Sequence, residues 1–172
     1  MNGCGRCLVA RFKELKLGED YLLKLSTLSQ SADGIIKQAI YQGADVVADA
    51  IQEGIQALPE EGHRKLKQGE RFTGVSPTQK QALQEGFGLA EMEQDGKGWN
   101  TKAGFAGYAD ESTATKKYPD GLPVPLLARA IESGSSVRQK HPFVRTAVNG
   151  ARQDAVDAME RTVDEEIRKT MK

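Results

Sequence analysis

Cys4 and Cys7 form a single Cys-x-x-Cys pair. That spacing serves zinc or thiol–disulfide chemistry, but zinc needs four ligands, commonly two such pairs or one pair with two histidines. The two histidines, His63 and His141, are far apart and each isolated. A redox pair opens a helix after a strand, a context that the first residues do not offer. The cysteines therefore read as incidental. Acids in turns and loops, Asp95, Asp110, Glu111 and Asp120, could converge on a reacting group, whereas most other carboxylates fall on helix faces, where charge is plain solvation. No Gly-x-x-x-x-Gly-Lys-Ser/Thr, His-Glu-x-x-His or Gly-x-Ser-x-Gly occurs. Neither a reaction nor a cofactor nor a metal site is indicated, and the chain is expected not to be an enzyme.

Two basic clusters are the other chemical feature. Arg64, Lys65, Lys67 and Arg71 form one. Arg129, Arg138, Lys140, Arg145 and Arg152, against the single acid Glu132, form the second. Exposed loop cations can touch a phosphate backbone without reading bases. Lys+Arg and Asp+Glu both number 24, which argues against a global polyanion-binding surface. Aromatic residues make up 6% and do not interleave with these cations, so a stacking platform for single strands is not supported. A small nucleic-acid-binding or regulatory protein remains the alternative class, and a hydrolase using the turn acids a third.

These residues need elements to position them. The 172 residues suit one domain, with no internal repeat. No run approaches the ~18–20 apolar residues of a membrane helix, and residues 1–7 lack the apolar core of a secretory signal. A reducing cytoplasm is the expected place of synthesis. Residues 7–13 alternate weakly and predict a short strand. Tyr21, Leu22, Leu25 and Leu28 predict a short helix over 19–29, with Ser31 and Asp33 capping a second helix after it. From Gly34 to Leu58, apolar residues recur every three or four positions, the stripe of a long helix ended by Pro59. Gly43 and Gly54 weaken that helix by about 1 kcal/mol each relative to Ala, which predicts close approach of a partner element.

Residues 59–77 are charged and Gly-punctuated and predict a mobile loop nearly free of core residues. Ser76-Pro77 starts a short helix through Gln84. Period-two alternation about Asp95-Gly96 predicts a hairpin over 87–107, with Trp99, Thr101, Ala103 and Phe105 on one face. A second mobile loop covers 108–121. A short helix over 126–133 stops at Gly134. Then comes a final helix with a continuous stripe from Phe143 through Val148 to Ile167 and Met171. Its solvated face carries i,i+4 pairs such as Asp157–Arg161 and Glu165–Lys169. Phe143, Val148 and Trp99 are expected in the core. The order predicts an α+β fold: a small antiparallel sheet with a hairpin, packed against a long N-terminal-half helix and a long C-terminal helix.

Leu126–Ser136 contains Ala-x-Ala-x-Glu-x-Gly-Ser, and Lys140–Val148 contains Pro-Phe-Val-Arg-Thr-Ala. These resemble the "A-x-A-x-E-x-G-[TS]" and "x-x-P-F-[VL]-R-P-A" blocks of a tailed-phage tail-component family, typified by the tenth gene product of a lambdoid long-tailed coliphage. The helix around Gly43–Ala50 looks like the family's N-terminal helix, and Thr78–Gly88 like its middle region. Thr146 stands where the family usually has Pro, and the middle block lacks its Gly after Thr78. The resemblance covers about 30 to 172. It implies a virion protein of the head–tail neck or tail-completion region, active in assembly in the host cytoplasm. Such a protein would form a hexameric or dodecameric ring between portal or head-closure proteins and the tail tube. Glu132, Gly134, Pro142 and Phe143 would carry packing and assembly roles. The cations of the loops, Arg64, Lys65, Lys67, Arg71, Arg138, Lys140 and Arg145, would face a channel that carries DNA.

Overall fold

Leu28, Ala32, Ile35, Ala39 and Gly43 follow one another at three- and four-residue steps, so the apolar stripes of the two expected N-terminal helices are in phase. In the computed structural model, which describes residues 18–62, 64–109, 114 and 116–172, they form one 38-residue helix, α1 (Glu19–Gln56). The expected break at Ser31 is absent. Its hydroxyl donates back to the Thr27 and Leu28 carbonyls inside the helix instead of capping a new one. Ile36, counted in the expected apolar stripe, is exposed, and Ala39 is buried in its place. The strand expected over 7–13, together with Cys4 and Cys7, lies outside the described residues, as do His63, Asp110 and Glu111.

The helix α2 (Pro77–Gly86) opens on a capping box, with the Ser76 hydroxyl accepting from the Gln79 N–H and the Gln79 side chain accepting from the Ser76 N–H. The hairpin has two antiparallel ladders. β1 (Phe87–Leu89) pairs with β4 (Ala103–Phe105), Phe87 opposite Phe105. β2 (Glu93–Asp95) pairs with β3 (Gly98–Asn100), Gln94 opposite Trp99. Between the ladders residues 90–92 face residues 101–102, one residue too many on the first side. This bulge breaks the expected strict alternation. Ala103 is exposed, while Phe105 is half-buried. The turn itself is Gly96-Lys97, held by the Asp95 carboxylate accepting from the Lys97 N–H at 2.8 Å.

After the hairpin come α3 (Val124–Ser133) and the 29-residue α4 (Phe143–Met171). α1 and α4 pack antiparallel. Gly54 lies against Phe143, Gly43 against Met159 and Ala155, and Lys24 Nζ donates to the Met171 carbonyl at 3.2 Å. At Gly43 an added Cβ would come within 2.6 Å of Met159 Cγ, so the close approach expected for the two helix glycines is what the fold uses them for. The core gathers at one end of this long helical hairpin. Ile51 and Ile55 of α1, with Leu58 just beyond its end, meet Leu83, Phe87, Val124, Leu127, Ile131 and Phe143 there. Val75, from the stretch expected to be nearly free of core residues, joins them at 1% exposure. Helices of 38 and 29 residues are about 57 and 43 Å long, so much of the hairpin extends away from this core. Among the described residues no helix is long and apolar enough to cross a membrane.

Candidate assembly site

The residues of the two resembling blocks meet at the start of α4. Gly134 ends α3 at φ +77°, a conformation that favours glycine, and a Cβ there would also crowd Lys140 Cβ at 3.2 Å. The chain then turns so that the His141 N–H donates to the Ile131 carbonyl at 2.8 Å. Pro142 is the residue before α4 and offers no side-chain cap. Glu132 supplies it from α3: its carboxylate accepts from the Val144 N–H at 2.9 Å and the Arg145 N–H at 3.2 Å. These are two of the first-turn donors that a helix leaves unpaired, met by a negative charge at the positive end of the dipole. Phe143 anchors the junction, 7% exposed and edge-on to Phe105 at 6.1 Å. We expect Glu132→Ala to cost about 1 kcal/mol in urea denaturation, the usual loss for a helix cap. An unchanged midpoint would show the cap to be idle.

The two basic clusters meet at one point, Arg71 of the first and Arg138–Lys140 of the second. The Phe72 N–H donates to Val137 O at 2.9 Å and the Gln139 N–H to Phe72 O at 2.8 Å, stitching residues 71–77 to 135–140. Arg138 ties the seam from within, donating to the Gly74 carbonyl and, at 2.9 Å, to Gln79 Oε1. Burial lowers its pKa from the usual guanidinium value. Arg64 is engaged by Glu61 at 2.8 Å and Glu70 at 2.6 Å, and Arg145 lies 3.9 Å from Glu132. Lys65, Lys67, Arg71 and Lys140 remain exposed with no ion pair among the described residues.

Glu61 closes the 59–77 loop. Its carboxylate also accepts from the Thr73 N–H at 2.6 Å and the Gly74 N–H at 3.0 Å, beside backbone pairing of Pro59 and Glu61 with Val75. The Arg64 guanidinium foremost, then these two N–H groups, hold its pKa at about 2 instead of 4.5. Its folded value lies below the unfolded one, so its stabilisation is full above pH 4.5 and is lost as pH falls toward about 2. An NMR titration following the Thr73 amide should therefore find a midpoint near 2; one near 4.5 would mean the loop is not closed this way. Sequence reasoning missed Glu61, because its partners lie twelve and thirteen residues away with no local spacing to mark them.

Of the four turn acids only Asp95 and Asp120 are among the described residues, and these two lie in different places. Asp95 serves its own turn, and Asp120 lines a separate depression beside α2 with Thr78 and Gln81. Among the described residues no group of three or more His, Cys, Asp or Glu is placed to hold a metal ion. The expected pairs on α4 differ in detail. Arg161 donates to the Asp157 backbone carbonyl, while the Asp157 carboxylate accepts from Gln153, and Lys169 pairs with Glu166 rather than Glu165.

Two grooves flank the first turns of α4. One, about 620 Å³, lies between α1 and α4 and is floored by small residues such as Gly54, Ala57, Gly150 and Ala151, with Glu53 and Asp154 on its rim. The other, about 460 Å³, lies between α3 and α4 and is lined by Phe105, Val144, Val148, Arg129 and Arg145, with Glu132 beside them. Val148, expected in the core, is 39% exposed there, because it projects past the edge of the face that Phe143 and Ala151 turn toward α1. Compared with family models, curated proteins and solved structures, the chain matches none.

Proposed function

We propose that the chain is a structural protein of the head–tail neck or tail-completion region of a long-tailed phage or prophage, assembling as a ring between portal or head-closure proteins and the tail tube. The observation that carries this reading is apolar surface left uncovered on the long helices. Leu22, Leu23 and Leu25 near the start of α1, Tyr41 midway along it, and Val148 and Val156 on α4 are all exposed. The neighbouring leucines at the start of α1 support contact with other chains, the usual use of grouped apolar side chains left exposed. The blocks at 126–136 and 140–148 carry the resemblance, and their residues Glu132, Gly134, Pro142 and Phe143 meet in one junction that fixes the start of α4. Rings close through heterologous contacts, in which one patch meets a different patch on the neighbour. Lys65, Lys67, Arg71 and Lys140 would line the lumen and contact DNA without sequence preference. Gold-labelled antibody against the chain should mark the head–tail joint of purified particles. Particles that lack the chain altogether would overturn the reading.

A further inference from the structure

Arg145, Val148, Arg152 and Val156 stand at i, i+3, i+7 and i+11, so they run as one ridge along α4. Both valines are about two-fifths exposed, at 39% and 41%, and the Arg152 side chain has no ion pair or hydrogen bond among the described residues. Around the same helix, a different set of positions builds the small-residue groove against α1. Its rim carboxylates, Glu53 and Asp154, are likewise exposed and have no side-chain partner among the described residues. One surface is exposed, apolar and cationic, with Arg145 and Val148 also bordering the groove between α3 and α4. The other is concave, apolar and acidic, and floored by residues small enough to admit a helix. We propose that the Arg145–Val156 ridge of one copy seats in the groove between α1 and α4 of a second copy, Arg145 and Arg152 meeting Glu53 and Asp154.

Charge complementarity selects a second copy as the occupant. The ridge supplies two exposed cations, Arg152 with no ion pair among the described residues and Arg145 with only the 3.9 Å contact to Glu132, where the groove supplies unpaired acids. Ridge and groove are different surfaces of the same chain, so the contact is heterologous and propagates head to tail until it closes. The inference rests on the reading of the chain as a self-assembling ring protein and names the faces that do the joining.

The test mixes full-length variants in light scattering at rising concentration. Gly150→Leu plugs the groove. A Cβ at Gly150 meets nothing within 4 Å, and leucine is the better helix former, so the variant folds at least as well as the parent. Val148→Asp with Arg152→Glu disables the ridge. Each variant alone should lose assembly and run as the 18.7 kDa monomer. Mixed one to one they retain one intact ridge and one intact groove, so they should give a dimer of twice that mass and nothing larger. If the parent assembles and either variant assembles equally well, or the mixture yields only monomers, the ridge-and-groove contact is wrong while the ring reading stands. If the parent stays monomeric up to millimolar concentration, both fall.

Discussion

Replacing Phe143 with Ala should remove about 3–5 kcal/mol of stability. The residue is 7% exposed, its ring stands edge-on to Phe105, and its backbone and Cβ lie against Gly54 of α1. Truncation therefore forfeits the transfer energy of a large side chain. It also leaves a cavity between two long helices whose backbones are held in place by further contacts along their length. For a chain of this size that is a fall in melting temperature of roughly 6–20 °C. A loss under about 1 kcal/mol would mean that the junction collapses around the missing ring or that Phe143 is not enclosed as described.

Gly86→Ala should cost about 1–3 kcal/mol, against a propensity term that by itself favours alanine in a helix. Gly86 closes α2, and its carbonyl accepts from the Ala106 N–H at 2.7 Å. An added methyl would overlap the Ala106 carbonyl oxygen and sit 3.1 Å from Val124 Cγ1. Backbone cannot swing aside as a side-chain tip can, so α2 must shift from the hairpin and from α3 together. Gly88→Ala, two residues on, meets nothing within 4 Å and serves as the control, with an expected change within about 0.5 kcal/mol. Equal stability of the two variants in urea would contradict the close seating of α2 on the hairpin.

Those two sites illustrate what is legible in the chain and what is not. The long helices, the hairpin, the stop at Gly134 and the use of Gly43 and Gly54 for close approach all come from local spacing. Each is enforced by backbone periodicity or by the missing Cβ. The failures share another cause. Ser31 can cap a helix or bond back into one, and only the in-phase stripe on both sides decides which. The one-residue bulge between the ladders depends on cross-strand pairing that no single strand encodes. The Glu61 closure and the Arg138 seam join residues twelve or more apart, and Arg138 bonds partners 64 and 59 positions away. Val148 is expected inside because the apolar stripe of α4 is wider than the face that α1 covers. That surplus width supplies the ridge.

Electron microscopy of the concentrated protein asks most directly whether this chain works by fitting against copies of itself. Class averages should show closed rings of six or twelve subunits around an open bore, with Lys65, Lys67, Arg71 and Lys140 on the inner wall. Uniform single particles at every concentration, or open filaments that never close, would contradict it.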